Sequence, residues 1–309
     1  MKGLTTLEKV NSRIDEMSKF CHDKCIDVSD ISFDSLETMK IGNDRHTLRP
    51  IAQRSILWRL GIPHSYIQRC SAEIQKLNMN YWIQFEKQKQ LFVRFDNNDI
   101  RAIFTPRYIP TDHFEIMLRL DEMGYSPETK CQCFLDDQFM LLNIPDSKKT
   151  FQINGDQMTP GISLGNSETG ISSLSVSLWI YRLICQNGLV VKEEISNFAY
   201  RHVSSKILDK LPEVFGNVSN ELRKQKDRFE ISMESKVDDP LKTIESFNRQ
   251  FNLNQPQKVA VEWAWPQEAG NTMFAVVNTY TRASQFKGLS AENSYQLQRV
   301  GGNILGMLN

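Results

Sequence analysis

The stretch from Ile162 to Val191 constrains the fold more than any other part of this 309-residue chain. Apolar residues occupy the even positions from Leu174 to Ile180, while serines and then Trp179 and Tyr181 occupy the odd positions. This alternation predicts a β-strand with one apolar face and one face that changes from hydroxyl groups to aromatic rings. The dipeptide Asn187-Gly188 predicts a tight turn into a returning strand. The stretch therefore predicts a long antiparallel hairpin that closes a hydrophobic core.

Two further hairpins are predicted upstream, because short apolar runs flank polar turn residues. The runs are Leu91–Phe95 with Ile100–Phe104 around Asp96–Asp99, and Cys131–Leu135 with Phe139–Ile144 around Asp136–Gln138. The segment 146–161 is polar and rich in turn-forming residues, so we expect it to be a loop.

Helical periodicity predicts the remaining elements. Helices are expected at Leu4–Lys24, at two places within Arg45–Cys70, from Asp112 to about Met123, and at Ser204–Leu211, Val218–Glu234, Leu241–Phe251, Val259–Trp265, Met273–Thr281 and Ala291–Leu308. The segment Arg45–Cys70 contains five arginines and no acidic residue. Its outline is compatible with a DNA-binding helix-turn-helix. The alternative is a pair of packed helices with solvated arginines, which the scatter of the arginines around the helix favours.

The expected fold class is α+β, with a strongly curved antiparallel sheet built from three hairpins, helices packed on one face, and a helical C-terminal part. The expected organisation is an N-terminal helical segment at 1–40, an α+β core at 41–205 and a helical region at 206–309. Because 37 basic residues balance 37 acidic ones, any site for a polyanion must come from local clustering.

The chain offers no signal for a membrane partner or for secretion. No apolar run is long enough to span a bilayer, and the N-terminus leads into a charged helix and not into a signal peptide. Six dispersed cysteines are typical of a reducing compartment. We expect a cytoplasmic protein.

Motifs for catalysis and metal binding are weak. Cys21 and Cys25, together with Cys131 and Cys133, are residue types found in zinc sites, but a single-residue spacer in a strand sends Cys131 and Cys133 to opposite faces. The sequence contains no Walker phosphate loop, no nucleophile elbow and no His-Glu-x-x-His motif. We expect no catalytic residue, metal or cofactor, and an enzyme that acts on nucleic acid with His202 at its site is the least favoured alternative.

Arginines and aromatic residues recur together in the predicted strands. They are Arg94, Arg101, Arg107 and Arg182, with Tyr108, Trp179 and Tyr181 nearby. A sheet that exposes guanidinium groups and rings can hold single-stranded nucleic acid, with stacking worth roughly 1–3 kcal/mol per base. The alternative is that Trp179 and Tyr181 belong to the core and the arginines lie at its rim.

Four sequence blocks resemble the phage- and plasmid-associated domain-of-unknown-function family nine-thirty-two. They are LRPIAQRSILWRLGIPHSYIQRC at 48–70, IRAIFTPRYIPTDHFEI at 100–116, GISLGNSETGISSLSVSLWIYRLICQNGLVV at 161–191 and FAYRHVSSKIL at 198–208. A weaker match to the family's Asn-Ala-Thr-Glu-Tyr segment lies at Asn278-Thr279-Tyr280, where the glutamate is absent. The resemblance covers most of residues 40–308 and implies a bacterial or mobile-element protein of the cytoplasm.

The predicted hairpins, interposed helix and helical tail are also similar in outline to single-strand annealing proteins of the Rad-fifty-two and RecT kind. We therefore expect a phage- or plasmid-type protein that binds and anneals single-stranded DNA in recombination or replication, as a homo-oligomer without a cofactor. The predicted contacts are Arg94, Arg101, Arg107, Tyr108, Tyr181, Arg182, Arg201 and His202, and the loop residues Gly165, Asn166, Ser167 and Gly170 are predicted to offer backbone amides to an anion. The alternative is a protein-interaction module in phage–host defence or counter-defence, which the balanced charge favours.

Overall fold

The three predicted hairpins are present, but they are divided between two sheets. A computed structural model describes residues 1–153, 156–182, 187–191, 198–200, 209, 212–213 and 222–308. Within these residues a large sheet has eight strands and a small sheet has six. The predicted α+β class is confirmed, whereas the expectation of one sheet is corrected, because the hairpin nearest the N-terminus belongs to the small sheet.

The large sheet carries two of the hairpins. Its strands are β1 (Lys2–Thr6), β8 (Lys130–Leu135), β9 (Met140–Pro145), β10 (Phe151–Ile153), β11 (Asp156–Asn166), β12 (Leu174–Arg182), β13 (Asn187–Val191) and β14 (Phe198–Tyr200). The order is β1-β8-β9-β11-β12-β13, with β10 paired to β11 and β14 paired to β12. All of these pairings are antiparallel.

The small sheet carries the remaining hairpin, which is the one nearest the N-terminus. It also contains one parallel pairing. Its strands are β2 (Cys21–Asp27), β3 (Ile31–Phe33), β4 (Thr38–Ile41), β5 (Asp44–Leu48), β6 (Gln90–Asp96) and β7 (Asp99–Phe104), in the order β2-β6-β7-β5-β4-β3. Strands β5 and β7 run parallel. The first 40 residues are therefore not a helical segment alone, since they supply β1 to the large sheet and strands to the small sheet.

The described residues contain ten α-helices. They are α1 (Leu7–Ser18), α2 (Pro50–Leu60), α3 (His64–Ile67), α4 (Ala72–Ile83), α5 (His113–Glu122), α6 (Leu222–Glu234), α7 (Pro240–Gln250), α8 (Gln255–Glu268), α9 (Met273–Ala283) and α10 (Ala291–Gly306). The predicted helix at 204–211 lies largely outside the described residues. Across the described part of the chain, none of the helices has the length and apolarity that crossing a bilayer requires.

Strand β12 has the two faces that its alternation predicts. Leu174, Val176, Leu178 and Ile180 enter the main core with α1, α5 and the C-terminal helices. The aromatic rings of the opposite face enter a second cluster, which α10 covers. The sheet is thus buried on both faces at this strand, and the aromatic face does not meet solvent.

The segment 146–161 is not a loop, which corrects the prediction. It contains a short 3-10 helix (Ser147–Lys149) and β10, and it leads into β11, which pairs with β9 and β12. Turn-forming residue types misled the prediction here. Gly161 is needed because a Cβ at this position would collide with the backbone of Ile144 and Pro145 on β9.

The dipeptide Asn187-Gly188 does not form the turn that it predicts. Both residues lie in β13, where Asn187 pairs with Arg182 and Gly188 pairs with Tyr181. The connection between β12 and β13 therefore falls at 183–186, outside the described residues. The hairpin itself is confirmed.

The small sheet has its own core, which α2, α3 and α4 complete. Ile56 and Leu57 of α2, Ile67 of α3, and Met79 and Ile83 of α4 pack against its strands. The predicted boundaries of the three domains stay a prediction.

Candidate functional site

The predicted phosphate contacts Arg94 and Arg101 lie on neighbouring strands β6 and β7 but are buried. Arg94 is 3% exposed and Arg101 is 7% exposed. The guanidinium of Arg94 donates to Asp23 at 3.0 Å, to Asp112 at 2.6 Å and to the main-chain oxygen of Glu168 at 3.1 Å. The predicted role of Arg94 is therefore corrected, because its charge is already matched and is closed off from a phosphate group.

Glu168 is the acceptor for Arg101. Arg101 donates to Oε2 of Glu168 at 2.9 Å, and the backbone amide of His113 donates to Oε1 at 2.8 Å. Arg101 also donates to the thiol of Cys21 at 3.1 Å. Arg101 is thus engaged inside the protein, and its predicted role as a phosphate contact is corrected as well.

The pKa values of these groups follow from burial and neighbouring charge. Burial opposes ionisation of Glu168, but His113, Arg101 and Arg94 outweigh burial and lower its pKa to about 2. Burial raises the pKa of the Asp112 carboxyl although Arg94 acts against it. Burial also lowers the pKa of His113, against the opposite effect of Glu168 and Asp112. Glu168 is therefore ionised at neutral pH, and His113 is held towards its neutral form.

These side chains form one group, which we call the buried ionic cluster. Its buried members are Arg94, Arg101, His113 and Glu168, and its partly exposed members are Asp23 and Asp112. They come from β2, β6 and β7 of the small sheet, from the start of α5, and from the segment that follows β11 of the large sheet. The cluster therefore ties the two sheets together. Among the residues that the structure describes, no group of His, Cys, Asp and Glu is arranged to hold a metal ion.

Tyr108 lies at the edge of this cluster, beside Arg94. The Tyr108 ring stacks on Phe104 with 3.7 Å between ring centroids and 2° between the planes. Burial raises the pKa of Tyr108 although Arg94 lowers it. Phe104 thus occupies one face of the ring that base stacking would use, whereas Arg107 is exposed.

Tyr181 and Arg182 are also engaged within the protein. Tyr181 stacks on Trp179 at 5.2 Å between centroids in the second core cluster. Arg182 pairs with Glu268 at 3.2 Å and lies over the ring of Phe274. The prediction that Tyr181 stacks bases is corrected because the ring is buried. Arg201 and His202 lie outside the described residues.

The predicted anion-binding loop is buried from Gly165 to Thr169 and contains an acid, Glu168. Gly165 and Asn166 belong to β11, and Asn166 donates to the main-chain oxygen of Thr111 at 2.9 Å. The Ser167 hydroxyl donates to a main-chain oxygen of Gln138 at 2.8 Å, and Gly170 has a positive φ of 81°. Because Glu168 binds arginine here, the segment supplies an anion and does not receive one.

Three of the five arginines between Arg45 and Cys70 are paired with acids from elsewhere in the chain. The pairs are Arg45 with Asp34, Arg49 with Asp96 and Asp99, and Arg59 with Glu86. Helix α2 packs into the core of the small sheet. This region is therefore a packed helical pair. Its exposed arginines outside these pairs, Arg54 on α2 and Arg69 after α3, do not lie on the same helix.

Helix α4 lies outside the predicted elements and carries the most distinctive exposed feature. Its inner side buries Met79 and Ile83. Its outer side exposes a continuous set of large apolar side chains, which we call the α4 outer face. The members are Ile74, Leu77, Tyr81 and Trp82 of α4, together with Phe85, which follows the C-terminal end of the helix.

The α4 outer face is a contiguous cluster on one side of the helix. Leu77 is 71% exposed, Tyr81 56% and Phe85 60%. The rings of Tyr81, Trp82 and Phe85 touch one another, with centroids 5.2 to 5.8 Å apart. Spacings of three and four residues place Ile74, Leu77, Tyr81 and Phe85 in one stripe. The signal was readable in the sequence, because apolar residues occur on two opposite faces of one short helix.

A family model for the domain of unknown function DUF932 matches residues 102–299, more than half of the chain. The chain belongs to the DUF932 family. No curated protein and no solved structure shows significant similarity to it, and the likeness to single-strand annealing proteins is not confirmed.

The DUF932 match includes only part of the buried ionic cluster. It includes α5 and the large-sheet strands β8 to β14, and so it contains Asp112, His113 and Glu168. Arg94, Asp23 and the α4 outer face precede it. The buried ionic cluster therefore joins the DUF932 part of the chain to the small sheet, and the α4 outer face belongs to the segment outside the match.

Proposed function

We propose that this DUF932 protein is a protein-interaction module that assembles through the α4 outer face, with a second copy of the chain as its partner. The α4 outer face is the observation that carries the proposal. A helix with apolar residues on two opposite faces is typical of a buried helix. Here one of those faces meets solvent, and an exposed apolar patch of this kind marks an interaction site.

The chemistry of the α4 outer face favours a protein partner over nucleic acid. The rings of Tyr81, Trp82 and Phe85 already contact one another, and Ile74 and Leu77 are aliphatic and offer no ring for base stacking. Of the arginines predicted to bind phosphates, Arg94, Arg101 and Arg182 are paired with carboxylates. Arg107 is exposed, and Arg201 lies outside the described residues. Binding of single-stranded DNA stays a prediction from the sequence, without support from the positions of Arg94, Arg101 and Tyr181.

The charges at the two ends of α4 favour a second copy as the partner. Exposed Glu73 lies at the N-terminal end, and exposed Lys87 and Lys89 follow the C-terminal end. The acid at that end, Glu86, lies 3.8 Å from Arg59. An antiparallel pair of α4 helices about a two-fold axis places Glu73 of each copy close to Lys87 of the other. The balanced net charge of the chain adds no long-range repulsion between copies.

The test compares the solution mass of the wild type with that of two leucine variants. Leu77→Ser removes an anchor at the centre of the α4 outer face. Leu241→Ser is the matched control, because Leu241 is 59% exposed on α7. An interface anchor contributes about 2 kcal/mol and counts twice in a two-fold dimer, so the dissociation constant of Leu77→Ser should rise roughly a thousandfold.

Light scattering coupled to gel filtration measures the outcome, with circular dichroism as the check on folding. The proposal predicts twice the chain mass for the wild type and for Leu241→Ser, and a shift towards one chain mass for Leu77→Ser. If the two leucine variants behave alike, the α4 outer face is not the interface.

A further inference from the structure

A groove between α1 and α5 is the second feature that points to a ligand. It encloses about 500 Å³ of space. Leu7 and Met117 form its buried floor, and Phe114 and Leu118 expose their side chains at its mouth. A site of this size with an apolar floor is typical of ligand-binding sites in proteins.

The polar rim of this α1–α5 groove carries three exposed carboxylates, from Glu8, Asp15 and Asp121. None of the three makes an ion pair with another described residue, and no described lysine or arginine lines the groove. The arginines of the two helices are engaged elsewhere. Their pairs are Arg13 with Glu16, and Arg119 with Glu122 and Asp209. The groove therefore combines an apolar floor with an uncompensated negative rim.

The spacing of the carboxylates on the rim indicates which ligand the groove can bind. Glu8 and Asp15 are seven residues apart on one helix, which places them about 10 Å apart along its axis, or two turns. Phe114 and Leu118 are one turn apart on the facing helix. We propose that the α1–α5 groove binds a basic amphipathic helix of a partner protein, with Lys or Arg two turns apart and Leu or Phe between them. The apolar side chains fill the floor, and the cations face the three carboxylates.

This inference concerns a surface separate from the α4 outer face, and the two can fail independently. A dimer formed through α4 would present one such groove on each copy. Such a dimer would bind two basic helical segments, one in each groove. Variants of the α4 outer face should leave binding in the groove unchanged.

Fluorescence anisotropy with labelled synthetic helical peptides and the full-length protein tests the proposal. One peptide carries lysines two turns apart with leucines between them, and the other replaces each lysine by glutamate. The lysine peptide should bind at least about tenfold more tightly than the glutamate peptide, and its affinity should fall as salt rises. Equal affinity for the two peptides, or no binding of the lysine peptide, overturns the proposal.

Protein variants locate the binding. Leu118→Ser should weaken the lysine peptide about tenfold or more, whereas Leu241→Ser should not. Asp15→Asn should weaken it about two- to fivefold, and Asp30→Asn, an exposed acid outside the groove, should leave it unchanged. If neither groove variant changes the affinity for the lysine peptide, the peptide binds elsewhere and the proposed site is wrong.

Discussion

Replacing Glu168 by glutamine removes a negative charge from the centre of the buried ionic cluster while keeping the shape of the side chain. In the wild type its two carboxylate oxygens accept from Arg101 and from the amide of His113. Glutamine can accept at one position, but it presents an NH2 group at the other. Arg101 would then remain buried without its counter-charge, so we expect Glu168→Gln to destabilise the fold.

Two arguments give the same magnitude. The pKa of Glu168 falls from its ordinary value of 4.5 to about 2. Each pKa unit corresponds to about 1.4 kcal/mol, so the ionised group contributes up to about 3 kcal/mol, and the share that comes from His113 requires a protonated imidazole. Removing one partner of a buried pair costs about 3–5 kcal/mol in other proteins. A loss of about 3 kcal/mol lowers the melting temperature by roughly 6–12 °C.

The pH dependence has a defined sign. Because the folded-state pKa of Glu168 lies below its ordinary value, its contribution is fully present above pH 4.5 and is lost as pH falls towards about 2. Asp112 has a raised pKa and therefore contributes in the opposite direction, since protonation relieves its penalty. The difference in the free energy of unfolding between the wild type and Glu168→Gln contains the Glu168 titration and its coupling to Asp112 and His113. This difference should shrink below pH 4.5.

The assay is thermal unfolding followed by circular dichroism at neutral pH and at several acidic pH values. Glu16→Gln is the matched control, because Glu16 accepts from Arg13 at 2.8 Å in an exposed pair. Such a pair contributes about 0–1 kcal/mol. If Glu168→Gln melts within a degree or two of Glu16→Gln, the cluster does not hold the two sheets together and the reasoning is wrong.

Two further outcomes are expected. Gly161→Ala should lower the free energy of unfolding by more than about 2 kcal/mol, because the new methyl group collides with the backbone of β9. Gly306→Ala is the control, because its methyl group would enter open space, and it should change the free energy of unfolding by less than about 1 kcal/mol. Urea unfolding measures both. In a filter-binding assay with labelled single-stranded DNA at low salt, the wild type should show no binding of the steeply salt-dependent kind; retention that falls steeply as salt rises would restore the nucleic-acid hypothesis.

Alternation of apolar and polar residues predicts the hairpins, because it acts over a few positions, although Asn187-Gly188 lies in β13 and not in the turn that it predicts. The faces of β12 follow from its period of two. Strand β11 is not predicted, because Pro160 and Gly161 are residue types that favour turns, whereas here they lie in a strand between two partner strands. Its strand character comes from pairing with β9 and β12, which no short window of sequence contains.

The candidate site could not be predicted from local sequence, because its decisive contacts are distant along the chain. Arg94 and Asp23 are 71 positions apart, and Arg101 and Glu168 are 67 positions apart. A window around either arginine shows a cation without a partner, which suggests a phosphate site. The α4 outer face is different, since its apolar residues lie close together in the sequence, from Ile74 to Phe85. Their spacing alone is enough to predict an apolar helix face.

Charge reversal within α4 tests most directly whether this protein assembles as proposed. Sedimentation equilibrium should show that Glu73→Lys weakens association, because like charges then face each other at both ends of the paired helices. The second change Lys87→Glu in the same chain should restore association, an outcome that unfolding cannot produce. A wild type that sediments as single chains at every concentration, or a double variant no tighter than Glu73→Lys, would contradict the account.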